Sequence, residues 1–143
     1  MSEVHLVTPA ETRALRQRVL RPHLTVEEVA ATDDDVPNIA CYDERGVVVA
    51  CATVRAEPEP GRELASAWRL RGMASDPELR GRGYGAAVLT AAVDHVRAAG
   101  GTELWCNARI AARGFYERHG WTAVGDVWDE PVIGPHVRMR LPV

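Results

Sequence analysis

Hydrophobic residues follow two periods along this chain, one typical of helices and one typical of strands. A short apolar run at residues 5–7 predicts a first strand, and the next segment, "TPAETRALRQRVL", places Leu15 and Val19 on one helical face. "TVEEVA" (25–30) predicts a second, shorter helix. Both segments begin with a threonine followed three residues later by a glutamate, the spacing of a capping box. The two pairs are Thr8 with Glu11 and Thr25 with Glu28.

Strand signals follow in the middle of the chain. "IACYDERGVVVACATVRA" (39–56) has two β-rich runs around a polar turn at residues 43–46, which predicts a β-hairpin. After a polar loop, "WRLRGMA" (68–74) is predicted to be the next strand. Arg69 and Arg71 alternate with apolar residues in it, so both arginines are expected on one face.

A second helical pattern connects this strand to another. Residues 83–99 carry one continuous apolar face and end at Gly100 and Gly101, as helices commonly end. The face is formed by Val88, Leu89, Ala92, Val93 and Val96. The apolar run at 103–106 predicts a buried strand, so this unit should be a right-handed crossover between parallel strands.

The last part of the chain predicts one helix and two strands. "ARGFYERHG" (112–120) is the helix, and the strands at 121–128 and 136–141 are joined by a loop at 129–135. Because the 143 residues contain no repeat and no dividing linker, a single domain over 1–143 is predicted. The order of elements favours an α/β fold, with a mixed sheet flanked by helices.

Composition narrows the functional classes. The net charge of -3 argues against a dedicated nucleic-acid binder. No apolar stretch is long enough to cross a membrane, and the first residues lack the pattern of a secretion signal, so a cytoplasmic protein is expected. The 3 cysteines and 5 histidines lack metal-ligand spacing, which predicts free thiols and no metal. All 17 basic residues are arginine, so an anion must be bound by arginine, histidine or backbone N–H groups.

The segment "RGRGYG" (80–85) carries the strongest chemical signal. It leads directly into a predicted helix, whose first N–H groups have no internal acceptor and attract anions. Glycines allow several N–H groups to converge on one anion, and Arg80 and Arg82 add charged donors. The segment therefore predicts a site for a diphosphate.

Other interpretations of this segment remain. The Walker motif requires a lysine, which the chain lacks. Gly81, Gly83 and Ala86 match the dinucleotide pattern G-x-G-x-x-G/A, but that pattern follows its strand directly, and here "SDPELR" intervenes. A glycine-rich helix start that binds no ligand is the third interpretation.

The segment also resembles motif A of the GNAT superfamily of N-acetyltransferases, R/Q-x-x-G-x-G/A, through Arg80, Gly83 and Gly85. The later block "ELWCNARIAARGFYERHGWTAVG" is similar to the family's strand, helix with an aromatic pair, and "GW". Together the two blocks cover about residues 68–125. The resemblance implies a mostly antiparallel sheet with a central, splayed pair of parallel strands.

The same resemblance implies a site for acetyl-CoA, the expected cosubstrate. The diphosphate would lie on the N–H groups of residues 80–85, and the pantetheine arm would follow the end of the fourth strand. Tyr116 matches the tyrosine that commonly serves as general acid. The implied cosubstrate-binding residues are Met73, Ala74, Arg80, Gly81, Arg82, Gly83, Tyr84, Gly85 and Asn107.

Two positions depart from the family pattern. Arg109 replaces an asparagine that often contacts coenzyme A, and Asn107 is the neighbour that could take over this contact. The glutamate that often acts as base on the fourth strand is missing. Glu63, Glu130, His136 and an ordered water chain are therefore open candidates for the base.

Two residues are predicted to contact the acceptor. Arg71, or Arg69 on the same face, either binds a substrate carboxylate or pairs with carboxylates of the protein. His136 begins the last strand, where family members often shape the acceptor pocket.

The implied function is transfer of an acetyl group from acetyl-CoA to a primary amine of a small molecule or a protein, by direct attack in a ternary complex. An acyl intermediate on Cys106 is the minor mechanistic alternative. A catalytically silent acyl-CoA-binding module, acting as a sensor or interaction domain, is the functional alternative. No nucleic acid, membrane or metal is expected as a partner, and the frequent dimers of the family leave a homodimer open.

Overall fold

A computed structural model describes residues 3–143 of the chain. The strands are β1 (Glu3–Val7), β2 (Asn38–Tyr42), β3 (Val48–Ala56), β4 (Ala67–Ser75), β5 (Glu103–Arg109), β6 (Thr122–Glu130) and β7 (Gly134–Pro142). The α-helices are α1 (Pro9–Leu20), α2 (Val26–Ala30), α3 (Tyr84–Ala98) and α4 (Arg113–Arg118), and single 3₁₀ turns span Pro77–Leu79 and Ile110–Ala112.

The strands are ordered β1-β2-β3-β4-β5-β7-β6 in a mixed sheet. β4 and β5 run parallel, and the pairs β1–β2, β2–β3, β5–β7 and β6–β7 run antiparallel. The predicted α/β fold with one parallel pair in a mostly antiparallel sheet is therefore confirmed. The parallel register runs from Ala67 opposite Glu103 to Arg69 opposite Trp105, although both strands continue beyond it. A short ladder of this kind is what splayed strands would show.

Two compact units make up the described chain. Unit 1 contains the residues up to Arg55 together with Gly72–His95, and unit 2 contains Ala56–Arg71 together with Val96–Val143. Unit 1 therefore carries β1 to β3, α1, α2 and the loop before α3, whereas unit 2 carries β5 to β7 and α4. β4 and α3 run across the boundary between the two sets.

The two predicted capping boxes have different outcomes. At α2, Thr25 Oγ1 accepts from the Glu28 N–H at 3.1 Å and Glu28 Oε1 accepts from the Thr25 N–H at 3.0 Å, which confirms the box. At α1 the prediction is wrong, because the Thr8 side chain makes no cap hydrogen bond. The Glu11 carboxylate accepts from the Tyr42 hydroxyl at 3.0 Å, a partner 31 positions away in the chain.

Several strands are longer than the hydrophobic pattern predicts. β5 continues past residue 106 because it pairs with β7 as far as Arg109 opposite His136. β6 and β7 extend into the predicted loop at 129–135 and leave residues 131–133 between them. Hairpin pairing stabilises these polar strand ends, which carry no apolar alternation of their own.

The buried residues agree with the predicted faces. On α3, Val88, Leu89, Ala92 and Val96 are each at most 2% exposed, and Val93 is half-buried. Leu15 of α1 is buried, and Val19 packs against the same cluster. Among the described residues, no helix combines the length and the hydropathy needed to cross a membrane.

Candidate active site

The loop between β4 and α3 holds two glycines in the left-handed region. φ is +84° at Gly81 and +85° at Gly83. A Cβ atom at either position would have no heavy atom within 4 Å. Backbone conformation, rather than lack of space, therefore selects glycine here, because other L-residues in this region lose roughly 1–2 kcal/mol.

The N-terminus of α3 follows these glycines directly. The N–H of Ala87 donates to the Gly83 carbonyl at 3.0 Å, so the N–H groups of residues 84–86 precede the first helical hydrogen bond. The first turn contains no acidic residue that would compete for its positive dipole. Arg80 and Arg82 are both exposed. Unit 1 therefore presents backbone donors and two guanidinium groups suited to a diphosphate.

The end of β4 leads into this loop through an irregular backbone. Gly72 has φ +58° within the strand, an interruption typical of a β-bulge. Next to it, Met73 is half-buried and Ala74 is 3% exposed. The Asp76 N–H donates to the Val49 carbonyl at 2.8 Å and holds the exit of the strand. Sequence reasoning missed Gly72, although a glycine inside a strand pattern is a signal for such a bulge.

Tyr116, the predicted general acid, lies on α4 in unit 2. It is 4% exposed and packs against Trp121, with ring centroids 5.1 Å apart. Its hydroxyl is hydrogen-bonded to the Cys106 side chain. Burial, followed by the influence of Cys106, raises the pKa of Tyr116 well above its usual 10.0. The phenol therefore stays protonated at neutral pH and is a hydrogen-bond donor.

Cys106 has the properties of a structural thiol. Burial raises its pKa to about 12, so the thiol is protonated at neutral pH. Nucleophilic attack requires the thiolate, and this environment therefore argues against the acyl intermediate on Cys106. Cys41, Cys51 and Cys106 are all free and buried, as predicted.

Two other predicted site residues of unit 2 are bonded within the chain. Asn107 Oδ1 accepts from Arg138 Nε at 2.7 Å. His136 is 6% exposed, and its Nδ1 lies 2.8 Å from the Gly134 carbonyl oxygen. Both side chains are thus oriented by neighbours on β7, and these contacts limit how either could turn towards a ligand.

The candidates for the base have different environments. Glu130 Oε1 accepts from Trp128 Nε1 at 2.8 Å, whereas Glu63 is exposed.

Within residues 3–143, no group of three or more His, Cys, Asp or Glu side chains could hold a metal ion.

A cluster of charged residues surrounds Trp105 in unit 2. Sequence reasoning missed it apart from one open alternative, that Arg69 pairs with a carboxylate of the protein. The guanidinium carbons of Arg69 and Arg138 lie 4.8 Å and 4.7 Å from the centroid of the Trp105 ring. Trp105 Nε1 donates to the Glu57 carbonyl at 2.8 Å. Arg69 Nη1 lies 3.1 Å from Glu57 Oε2. Each guanidinium group thus contacts the same indole ring, the arrangement of a cation–π pair.

Glu59 is the buried anion of this cluster. Arg140 donates to its two carboxylate oxygens at 2.6 Å and 2.7 Å, and Arg138 Nη1 lies 3.1 Å away. These hydrogen bonds, first of all those from Arg140, lower the pKa of the Glu59 carboxyl below its usual value. The alternating arginines of "HVRMRL" were the signal that could have indicated an anionic partner.

Comparison with known proteins relates this geometry to a family. A family model described as "Acetyltransferase (GNAT) family" matches residues 6–121. The uncharacterized N-acetyltransferase YitI of Bacillus subtilis (strain 168) is 32% identical over 143 residues, which cover 97% of this chain and 95% of that protein. The chain belongs to the acetyltransferase (GNAT) family.

Solved structures of acetyltransferases share the fold. The ribosomal-protein-S18-alanine N-acetyltransferase of Escherichia coli superposes with a TM-score of 0.75 at 19% identity, covering 100% of this chain and 94% of that one. A phosphinothricin acetyltransferase of Sinorhizobium meliloti, in complex with AcCoA, gives a TM-score of 0.73 at 20% identity and covers 99% and 88%. The predicted GNAT resemblance and the predicted class of enzyme, an N-acetyltransferase, are therefore confirmed.

Proposed function

We propose that this GNAT protein transfers an acetyl group from acetyl-CoA to a primary amine. The observation that carries the proposal is the pair of left-handed glycines, Gly81 and Gly83, placed directly before an acid-free helix start. This backbone, with the exposed Arg80 and Arg82, is suited to bind the diphosphate of acetyl-CoA. The complex of the Sinorhizobium meliloti relative with AcCoA supports the choice of cosubstrate.

We infer that the amine attacks acetyl-CoA directly, because the environment of Cys106 argues against an acyl intermediate on that residue. The amine nitrogen forms a bond to the thioester carbonyl carbon and loses one of its protons, the bond from that carbon to sulfur breaks, and the sulfur takes up a proton. Cys106 does not intervene, because its raised pKa keeps it protonated. The amine must first lose a proton, since a lysine-like ammonium has a pKa of about 10.4.

Tyr116 is the residue that we assign to protonation of the departing sulfur. Its raised pKa means that it is protonated whenever the protein is at neutral pH. A phenol near this sulfur would donate a hydrogen bond as negative charge develops there. Met73 and Ala74 remain the residues proposed to contact the pantetheine arm, and Asn107 remains a proposed contact of coenzyme A.

A silent acyl-CoA-binding module is the competing proposal. It is favoured by the Tyr116 hydroxyl, which is buried and already bonded to Cys106. A binding module would use the loop at residues 80–85 in the same way but would need no proton donor.

Release of free thiol from acetyl-CoA, followed over a panel of primary amines, separates the two proposals. An enzyme releases coenzyme A in proportion to the amine that it acetylates, and mass spectrometry shows the acetylated product. A rise in melting temperature with acetyl-CoA, but no thiol release with amino acids, peptides, polyamines or aminoglycosides, would support the silent module instead. No shift and no release would contradict both.

A further inference from the structure

In unit 2, two strands, β4 and β7, present arginines on the face of the sheet that carries Trp105 of β5. Arg69 of β4 is opposite Trp105 of β5. Along the other edge of β5, Arg138 of β7 is opposite Asn107. Residues opposite each other lie on the same face, as do residues two apart along a strand. Arg71 therefore follows Arg69 on this face.

The arginines on and beside this face outnumber the carboxylates that pair with them. The ion-paired arginines are Arg62, Arg69, Arg138 and Arg140, and their partners are Glu57, Glu59 and Glu103. Arg71 is exposed, and no carboxylate within residues 3–143 is found in an ion pair with it. Its charge acts on Arg69, where burial and then Arg71 lower the pKa of the guanidinium. This face therefore carries excess positive charge that an anion would neutralise.

The indole ring of Trp105 holds two of these cations in place. Trp105 is 1% exposed, whereas the side chains of Arg69 and Arg138 are 23% and 21% exposed. A guanidinium group that is stacked on an aromatic ring has lost much of its freedom before a ligand arrives. Its planar donors match the two oxygens of a carboxylate.

We propose that Arg69, Arg71 and Arg138 form a subsite for a carboxylate group of the amine acceptor. The preferred acceptors are then amino acids or peptides with a free carboxylate, rather than polyamines. This inference rests on the proposed function, in which the pantetheine arm follows β4 back from the loop through Ala74 and Met73. Arg71 is the next arginine in that direction along the strand.

Matched acceptors test the charge requirement. L-amino acids and their carboxamides present the same α-amine, but only the amino acids carry a carboxylate. Measured by thiol release from acetyl-CoA, kcat/KM should be at least about tenfold higher for the amino acid than for its carboxamide. This is the difference expected for a hydrogen bond to a charged group. O-phosphoethanolamine is included because guanidinium groups also bind phosphate. Equal use of acids and carboxamides, or preference for the phosphate compound over every amino acid, would overturn the proposal.

The variant Arg71→Gln tests the residue itself. Arg71 is exposed, so folding should be retained, and the ratio of acid to carboxamide kcat/KM should fall by about tenfold. Arg71→Lys should restore part of the ratio, because it keeps the charge. Arg45→Gln, at an exposed arginine of the β2–β3 turn, should leave the ratio unchanged. An unchanged ratio in Arg71→Gln would contradict the assignment.

A binding measurement separates this proposal from the proposed function. N-acetyl-L-amino acids, which are the expected products, and their carboxamides are titrated calorimetrically into the wild-type protein saturated with coenzyme A. Tighter binding of the acids, lost in Arg71→Gln, supports the subsite even if no amine is acetylated. Absence of any such preference overturns the subsite even if thiol release proves the protein to be an enzyme.

Discussion

Arg140 binds both carboxylate oxygens of Glu59, with its Nε 2.6 Å from Oε1 and its Nη2 2.7 Å from Oε2. Glu59 is 6% exposed, so its charge depends on this partner and on Arg138. Breaking a fully buried ion pair costs about 3–5 kcal/mol. We expect Glu59→Gln to lower the free energy of unfolding by less, roughly 2 kcal/mol, because glutamine keeps one oxygen acceptor for the arginines. Urea denaturation at pH 7 measures this, with the exposed Glu63→Gln as the control that should change little.

The same carboxylate predicts a dependence on pH. The pKa of Glu59 is lowered on folding, chiefly by the hydrogen bonds from Arg140, from a usual value of 4.5. The folded carboxyl therefore binds a proton less readily than the unfolded one, and its stabilisation is full above pH 4.5 and lost as the pH falls through the folded pKa. The difference in stability between wild type and Glu59→Gln should shrink over that range. A difference that stays constant down to pH 2.5 would contradict it.

Local signals in the sequence were sufficient to predict that residues 80–85 form a glycine-rich loop leading into a helix. The conformation of a glycine and the start of a helix both depend on neighbours in the chain. The pair of Glu59 and Arg140 was not predictable in this way, because the two residues are 81 positions apart. In the sequence, Arg140 resembles any other polar residue of a strand. Glu11 shows the same limitation. Its local spacing indicates a capping box, but the distant Tyr42 hydroxyl binds its carboxylate instead.

The two glycines that follow α3 are predicted to resist substitution for different reasons. Gly100 has φ +85° and open space where a Cβ atom would lie, whereas a Cβ at Gly101 would lie 2.6 Å from Trp68 Cδ1 and closer still to Val96. Asparagine tolerates the left-handed region, so Gly100→Asn should cost less stability than Gly100→Ala, which we expect to cost about 1–2 kcal/mol. At Gly101 the order should reverse, because the larger side chain clashes more. Thermal unfolding of the four variants measures both orders, and the same order at both glycines would be inconsistent with this geometry.

Gly83 and Gly46 form a matched pair for testing the cosubstrate loop. Their φ values are +85° and +77°, and neither would bring a Cβ within 4 Å of another heavy atom. Alanine should therefore destabilise the free protein similarly at both positions, by about 1–2 kcal/mol. A ligand at 100 times its Kd stabilises a protein by about 2.7 kcal/mol, and only Gly83→Ala should reduce this gain from acetyl-CoA. Equal gains in the two variants would show that the diphosphate binds elsewhere.

Tyr116 combines a buried ring with a hydroxyl that is bonded to Cys106, and substitutions can separate the two. Tyr116→Phe keeps the ring and removes the donor. Acid assistance is worth about 10²–10⁴-fold, so kcat should fall at least about tenfold, with little change in the affinity for acetyl-CoA.

Cys106→Ala provides the control for this experiment, because it removes the hydrogen-bond partner but keeps the phenol. If the phenol donates a proton, this variant should retain kcat within about threefold of wild type, whereas Tyr116→Phe should not. The same loss of kcat in both variants would show that the Tyr116–Cys106 hydrogen bond acts by holding α4 against β5. Wild-type turnover in Tyr116→Phe would exclude the tyrosine as the acid, because the proton for the sulfur would then come from another group. Thiol release under saturating acetyl-CoA and amine measures kcat directly and keeps differences in binding out of the comparison.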